Sequence, residues 1–463
     1  MTEAHSELQP SNRLRRWLKW LPVALLLALL LGRVLLGYRA DNQLQALIDG
    51  ARAQGEPATP DDLQKPPIAD DQNAAVLIRQ ALDAYHLTPE QRSDDEAIRA
   101  KEADDYWSSD RLKWYQGVIA ENRQALDLLG QARRLPLADW QPTPRNLSET
   151  VAPNTPPHRS LANLLAVQAR LKAEAGDVAG AADALLALMT YARQVDQQRM
   201  LVPHLVANEI DAIAADTLLD LCQKPIALSD HVAATLTARL LDDDARLRGF
   251  RDAMLTERAL VTQETLRLAN AGGWVRIFRP MVVNDAGRAF KRFTLITLAV
   301  TAASWPAAEA LLPRESNLTE GLSLKRISRL MSDMFATGIN RSAKSEFWRM
   351  ADRRAAAVAL AIARYRRDHD GAFPQNLAAL VPKYLVKIPF DPMSAVEREL
   401  SFLPQRPNPI LYSVGANGTD EGGSEKRIVR GRGDEWDDQD RVYHLTAPAP
   451  ATAPSTQAAS EAS

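Results

Sequence analysis

Between Leu21 and Leu36 the only polar residue is Arg33. Such a run has few places to go in water. With its flanks, Trp17 to Tyr38, it spans about 22 residues, or about 33 Å of helix, against a bilayer hydrocarbon core of about 30 Å. Trp17, Trp20 and Tyr38 fall where interfacial aromatics belong. Pro22 falls in the first turn, where a missing N–H costs little. Arg33 would cost about 2.5–3.5 kcal/mol at mid-bilayer, but it lies near the end, and nine leucines at about −0.5 kcal/mol each outweigh it. The pattern predicts one transmembrane helix over 17–38. Arg13, Arg15, Arg16 and Lys19 precede the run and only Arg39 closely follows it. The positive-inside rule then leaves a cytoplasmic basic segment, 1–16, and puts the bulk of the chain in the periplasm, anchored in a bacterial inner membrane. Leu36-Gly37-Tyr38-Arg39-Ala40 is a poor cleavage site, which favours a retained anchor over a signal peptide.

At 463 residues the chain is long enough for two or three domains. Its 56 basic and 58 acidic residues nearly cancel, so no electrostatic footprint for nucleic acid exists. Cys222 is the single cysteine, which excludes an intrachain disulfide and a cysteine-based zinc site. Abundant alanine and leucine favour helices.

Segment 39–72 contains a stretch, Ala51 to Asp71, rich in proline and acidic residues, and reads as a spacer lifting the body off the bilayer. Segment 73–340 reads as a helical body, either a bundle or a short α-solenoid-like array. Helical patterns begin at Asn73 and run through Tyr106–Leu135, with Leu137–Pro157 as a proline-rich loop. The clearest hairpin pairs a stripe of Leu161, Leu164, Leu165 and Leu171 with one of Ala181, Ala184, Leu185, Leu188 and Met189, across Gly176-Asp177. Further helices are expected over His204–Cys222 and from Ser229 towards Asn270, with Ser229 or Asp230 as N-cap. Phe293–Leu312 is apolar but carries threonines, serines, Pro306 and Glu309, and is expected as a core or amphipathic helix. The tail, 446–463, is Ala, Pro, Ser and Thr with one glutamate, a composition expected to be disordered.

Segment 345–445 predicts a small α+β domain. A helix over Trp348–Arg367, with alanines and leucines on one face and arginines on the other, stops at Asp368-His-Asp-Gly371. A short helix at Gln375–Leu380 follows, then strand-like runs at Leu400–Leu403, Ile410–Val414, Arg427–Arg430 and Arg441–Leu445. Five local patterns occur in order: Tyr365, Gly371-Ala-Phe373-Pro374, Leu380-Val-Pro-Lys-Tyr384-Leu385, Ile388-Pro-Phe-Asp391-Pro392 and Tyr412-Ser-Val-Gly-Ala-Asn417-Gly418. In type and spacing this stretch of about 95 residues resembles the C-terminal part of the major pseudopilin of type II secretion systems. The resemblance stops there: Arg292 and Thr297 stand where a pilin helix beginning at Phe293 would have its glycine and glutamate.

The resemblance implies a calcium site in the last loops. Calcium needs several hard oxygens converging at about 2.3–2.6 Å. The candidates are Asn417, Asp420, Asp437, Asp438 and Asp440. Two departures count against it: neutral Asn417 replaces the usual aspartate, and Lys426, Arg427, Arg430 and Arg432 could pair with the acids in place of a metal.

The chain has no Walker A, GxSxG, HExxH, CxxC or GxGxxG pattern. Asp104-Asp105 is a further acidic pair, and Asp242-Asp243-Asp244, followed by Arg246 and Arg248, reads as an exposed helix face. His204, five residues before Glu209, reads as a satisfied packing histidine rather than half of an acid/base pair. Glu257 and Arg258 read as an internal charge pair, and His369 as a capping or surface residue. The expected function is that of a non-enzymatic membrane-anchored envelope protein, a scaffold or binding module whose partners are the lipid bilayer and other envelope proteins. The resemblance implies a link to type II secretion-like machinery. Two alternatives stand beside it: an envelope hydrolase with an unrecognised site in the helical body, and a degenerate pseudopilus component requiring cleavage before Phe293.

Overall fold

The computed structural model describes residues 12–91, 109–145, 155–312, 330–424 and 439–446. Twelve α-helices and one three-stranded sheet make up the regular structure of those residues. Helix α1 (Asn12–Ala53) carries the apolar run, and from Trp20 to Leu36 its side chains are exposed all round, with Gly32 half-buried. It is a helix long and apolar enough to cross a membrane. From Gly37 onward the same helix turns one stripe inward: Gly37, Ala40, Leu44, Ile48 and Ala51 are buried, a spacing of three and four that keeps one face on its neighbours.

The first part of the expected spacer, 39–60, therefore packs on the body through one face, while 61–72 is mostly exposed. The helix continues to Ala53, and Ala58 beyond it is also buried, because Leu44, Ile48 and Ala51 share a core with Ala269, Val283, Ala286 and Phe290. Those residues belong to α9 (Asp243–Ala269) and α10 (Arg279–Ala299). The Arg292–Phe293 bond lies inside α10 with Phe293 and Ile296 buried, as a core helix requires.

The body follows the expected punctuation. Asn73 caps α2 (Ala74–Ala84) by accepting from the Ala75 amide. Helices α3 (Ser109–Glu121) and α4 (Arg123–Ala132) precede the hairpin of α5 (Thr155–Glu174) and α6 (Val178–Asp196). At its turn Gly176 takes φ +82°, which favours glycine, and Asp177 caps α6 through the Gly180 amide. Helix α7 (Leu201–Leu221) follows, then α8 (Asp230–Leu240), capped by Ser229. The single helical stretch expected after Ser229 breaks at Leu241-Asp242, where the Asp242 carboxylate caps α9. A short α11 (Trp305–Leu311) leads to α12 (Leu330–Asp368).

Helix α12 decides the architecture. Ala355 to Ala363 are all buried, so this stretch is apolar on every side, as only a helix surrounded by others can be. It packs against α7, α8 and α10, far from it in sequence, which makes the body a bundle; a solenoid repeat touches only its neighbours. Arginines of the face opposite the alanines and leucines are paired across the bundle: Arg353 and Arg354 with Asp243, and Arg364 with Asp230. The boundary expected between 340 and 345 falls inside α12, and one core unites Ile78, Leu161, Leu188 and Leu218 with Ala359, Leu411 and Tyr443. The sheet is antiparallel, β1 (Ser401–Leu403), β2 (Ile410–Ser413) and β3 (Arg441–His444), with Ser401 opposite Tyr412 and Ser413 opposite Arg441. The run at 427–430 lies outside the described residues.

Candidate functional site

A cleft of about 1110 Å³ opens between the end of α1, the loop 137–144, α2 and α9. Asn73, besides capping α2, fixes one wall: its amide nitrogen donates to the Asp139 carbonyl (2.9 Å) and its amide oxygen accepts from the Asp139 N–H (2.8 Å). The Trp140 indole donates to the Gln194 carbonyl, and Arg79 lies 5.4 Å over its ring while donating to the Gln141 carbonyl. The opposite wall is ionic, with Arg52 against Asp62, Arg251 against Glu56 and Arg199 against Asp252. Burial pushes the Asp62 carboxyl up, but Arg52 and the Ala58 and Thr59 amides outweigh it and hold the group at about 2.

His158 lies in the same cleft, 2.7 Å from the buried Tyr191 hydroxyl and stacked on that ring. Burial draws its imidazole down to about 4, so it is neutral at physiological pH. Among the described residues Lys65 and Arg79 are the cleft's cations with no carboxylate at ion-pair distance. The arrangement suits recognition of a polar, acidic ligand.

A second polar cluster is sealed inside the bundle. His204 is fully buried, with Nδ1 2.6 Å from Asp196 and Nε2 2.9 Å from Glu346. Asn208 donates to Glu346 and accepts from Arg246, and Arg246 pairs with Asp211 at 3.0 Å. Burial draws the imidazole down, but Glu346 and Asp196 outweigh it and raise it to about 9. His204 is thus a satisfied internal histidine, as expected, though charged and paired across the fold; Glu209 instead pairs with Arg159. Two readings need correcting for the same reason, burial by distant helices. Arg246 is buried and belongs to this cluster, Asp242 is a cap and Asp243 an anchor for α12, while Asp244 and Arg248 stay exposed as read. Glu257 accepts from the Leu201 amide, while Arg258 pairs with Glu56 at 2.9 Å. His369 is exposed, stacked on Tyr365 and bonded to its carbonyl. Asp104-Asp105 lies outside the described residues.

Of the candidate calcium ligands, Asp437 and Asp438 lie outside the described residues. Asp420 is occupied by Arg398 (2.8 Å), the Tyr412 hydroxyl and the Gly422 amide, so the cation that takes it precedes the loop. Asn417 donates to Glu421 and accepts from the Thr419 amide. Asp440 is buried; one carboxylate oxygen accepts from the Gly423 amide and the other has no donor among the described residues. Burial pushes its carboxyl up to about 6; the amides of Gly423 and Glu421 draw it down, and the Glu421 carboxyl adds to the rise. Glu421 escaped the sequence reading because only the fold of this loop sets it beside Asp440. Among the described residues no three His, Cys, Asp or Glu side chains converge as a metal site would require.

The paired motifs of the C-terminal segment do meet. Asp391 is buried and accepts from the Met393 amide (3.0 Å), the Ser413 hydroxyl (2.7 Å) and the Val414 amide (2.9 Å), tying the Ile-Pro-x-Asp-Pro turn to the Tyr-Ser-x-Gly strand end. Tyr384 donates to Asp368 at 2.9 Å and packs edge-on against Tyr365. No protein-family model, no curated protein and no solved structure matches the chain.

Proposed function

We propose that this is a membrane-anchored, non-enzymatic envelope protein that presents binding surfaces on the periplasmic side of a bacterial inner membrane. The observation that carries the reading is the two-part character of α1. Sixteen of the seventeen residues from Trp20 to Leu36 lie exposed, on all sides of one unbroken helix whose next stretch buries one stripe in the body. An apolar helix surface of that extent is stable in lipid and costly in water. The cleft, with Lys65 and Arg79 unpaired by carboxylates, is the binding surface, and an acidic segment of another envelope protein is its ligand. The C-terminal segment, pseudopilin-like in its motifs, is the second interaction module and links the protein to type II secretion-like machinery. Its Asp440–Glu421 carboxylate pair, with Asp437 and Asp438, takes a calcium ion.

A reporter active only in the periplasm, fused after Ser463, tests the placement. Activity is expected; activity from a cytoplasm-only reporter overturns it. A photo-crosslinker at Gln198, in the cleft lining, should trap an envelope protein, and a Lys65→Glu, Arg79→Glu variant carrying the same probe should lose that product.

A further inference from the structure

Arg33 is the one polar interruption of the apolar run, and it does not stand alone. Its guanidinium donates to the Arg276 carbonyl at 2.6 Å and to the Ile277 carbonyl at 3.3 Å. Both carbonyls belong to the connection between α9 and α10, which passes through a 3₁₀ turn at Gly273–Ile277. The next residues hold the same register: Pro280 lies against Gly37 and Arg279 pairs with Asp41 at 2.8 Å. Further along, Leu47 faces Gly287, so α1 and α10 run in the same direction and the turn marks the membrane-facing end of α10.

Depth along α1 then fixes the turn's position. From Trp20 onward Gly37 is the first fully buried residue of the helix, and Arg33 precedes it by about 6 Å at 1.5 Å per residue. The turn thus sits level with Val34, Leu35 and Leu36, all more than half exposed. It offers apolar surface of its own, with Ile277 61% and Phe278 41% exposed. Large apolar side chains held beside a spanning helix at that level meet acyl chains or headgroups, not bulk water. Arg33 contributes twice: its charge finds acceptors instead of bare lipid, and two backbone carbonyls of a non-helical turn find a donor at a depth where water is scarce.

We infer that residues 270–278 form a second membrane contact, a wedge seated in the periplasmic lipid interface and pinned to α1 by Arg33. The body then rests on the bilayer in a fixed orientation, with the helix continuing into it as a rigid post. This inference rests on the membrane reading of α1.

The test uses the full chain in lipid nanodiscs, with single fluorophores attached at Leu27→Cys, Ile277→Cys or Val386→Cys in a Cys222→Ala background, and lipids spin-labelled both near the top and near the end of the acyl chain. Val386 is 91% exposed in the C-terminal segment. Quenching at 27 and 277 but not at 386 is expected. Quenching at 27 with 277 as unquenched as 386 overturns the wedge and leaves the span intact. No quenching at 27 sinks the span itself, and the wedge with it. The Arg33→Leu variant should keep the signal at 27 and lose part of it at 277; an unchanged signal at 277 overturns Arg33 as the pin.

Discussion

His204 Nε2 stands 2.9 Å from a carboxylate oxygen of Glu346, a residue 142 positions later in the chain. The contact joins α7 to the long α12, and Asp196 at the end of α6 holds the other ring nitrogen. Three helices meet on one imidazolium, out of reach of solvent. The same low dielectric that strengthens this contact makes the loss of any partner costly.

The cluster gives stability a definite pH dependence. His204 rises from 6.5 to about 9 on folding, so its contribution is complete below pH 6.5 and disappears as pH climbs through about 9. Asp196 and Glu346 are both held below their ordinary values, burial opposing and His204 prevailing, so their contribution is present above the normal carboxylate range and fails in acid. Stability, and with it the melting temperature, should therefore be highest at about pH 5–6.5 and fall towards pH 9, the histidine accounting for a loss of up to about 3 kcal/mol of unfolding free energy. A His204→Gln variant should lose that alkaline slope. A wild-type melting temperature flat from pH 6.5 to 9 would show that the imidazole is not charged.

Arg258 fastens the end of α1 to the body. It bonds to Glu56, to the Thr294 hydroxyl and to the Pro57 carbonyl, and lies 4.4 Å over the Phe290 ring. Arg258→Ala should cost about 3–5 kcal/mol, the usual effect of breaking a buried ion pair. Amide exchange over residues 44–62 should speed up while the strands around Ile410 stay protected. Unchanged exchange at 44–62 would mean that α1 is held by its apolar stripe alone.

Asp391 is the joint of the C-terminal segment. Its three accepted hydrogen bonds leave three donors unsatisfied in Asp391→Ala, at a cost of about 3–4 kcal/mol. Asp391→Asn should lose less, since one oxygen remains. Equal melting temperatures for wild type and Asp391→Ala would remove the joint from the account.

Calcium offers a sharper check on the last loops. Titrating the ion into the full chain in detergent should raise its melting temperature, with Asp440→Asn abolishing the shift. The effect should weaken below about pH 6, where the Asp440 carboxyl takes up its proton. A wild-type protein indifferent to millimolar calcium at pH 7.5 has no such site.

Much was legible in advance because it depends on neighbours in the chain. The apolar run, the Gly176-Asp177 turn, the Ser229 cap and the three described strands rest on local periodicity, caps and breakers, which act over a few residues. The stripe Gly37, Ala40, Leu44, Ile48 and Ala51 was readable too, as a three-and-four spacing, but the prolines after it masked the signal. What the sequence could not say is who faces whom. That His204 meets Glu346, that Arg258 reaches Glu56, that Arg33 finds the turn before α10 and that α12 is central all depend on contacts between distant segments. Charge is the clearest case. A local pattern reads Asp243 or Arg353 as a solvated face, while burial by a helix 110 residues away converts the pair into an internal fastening.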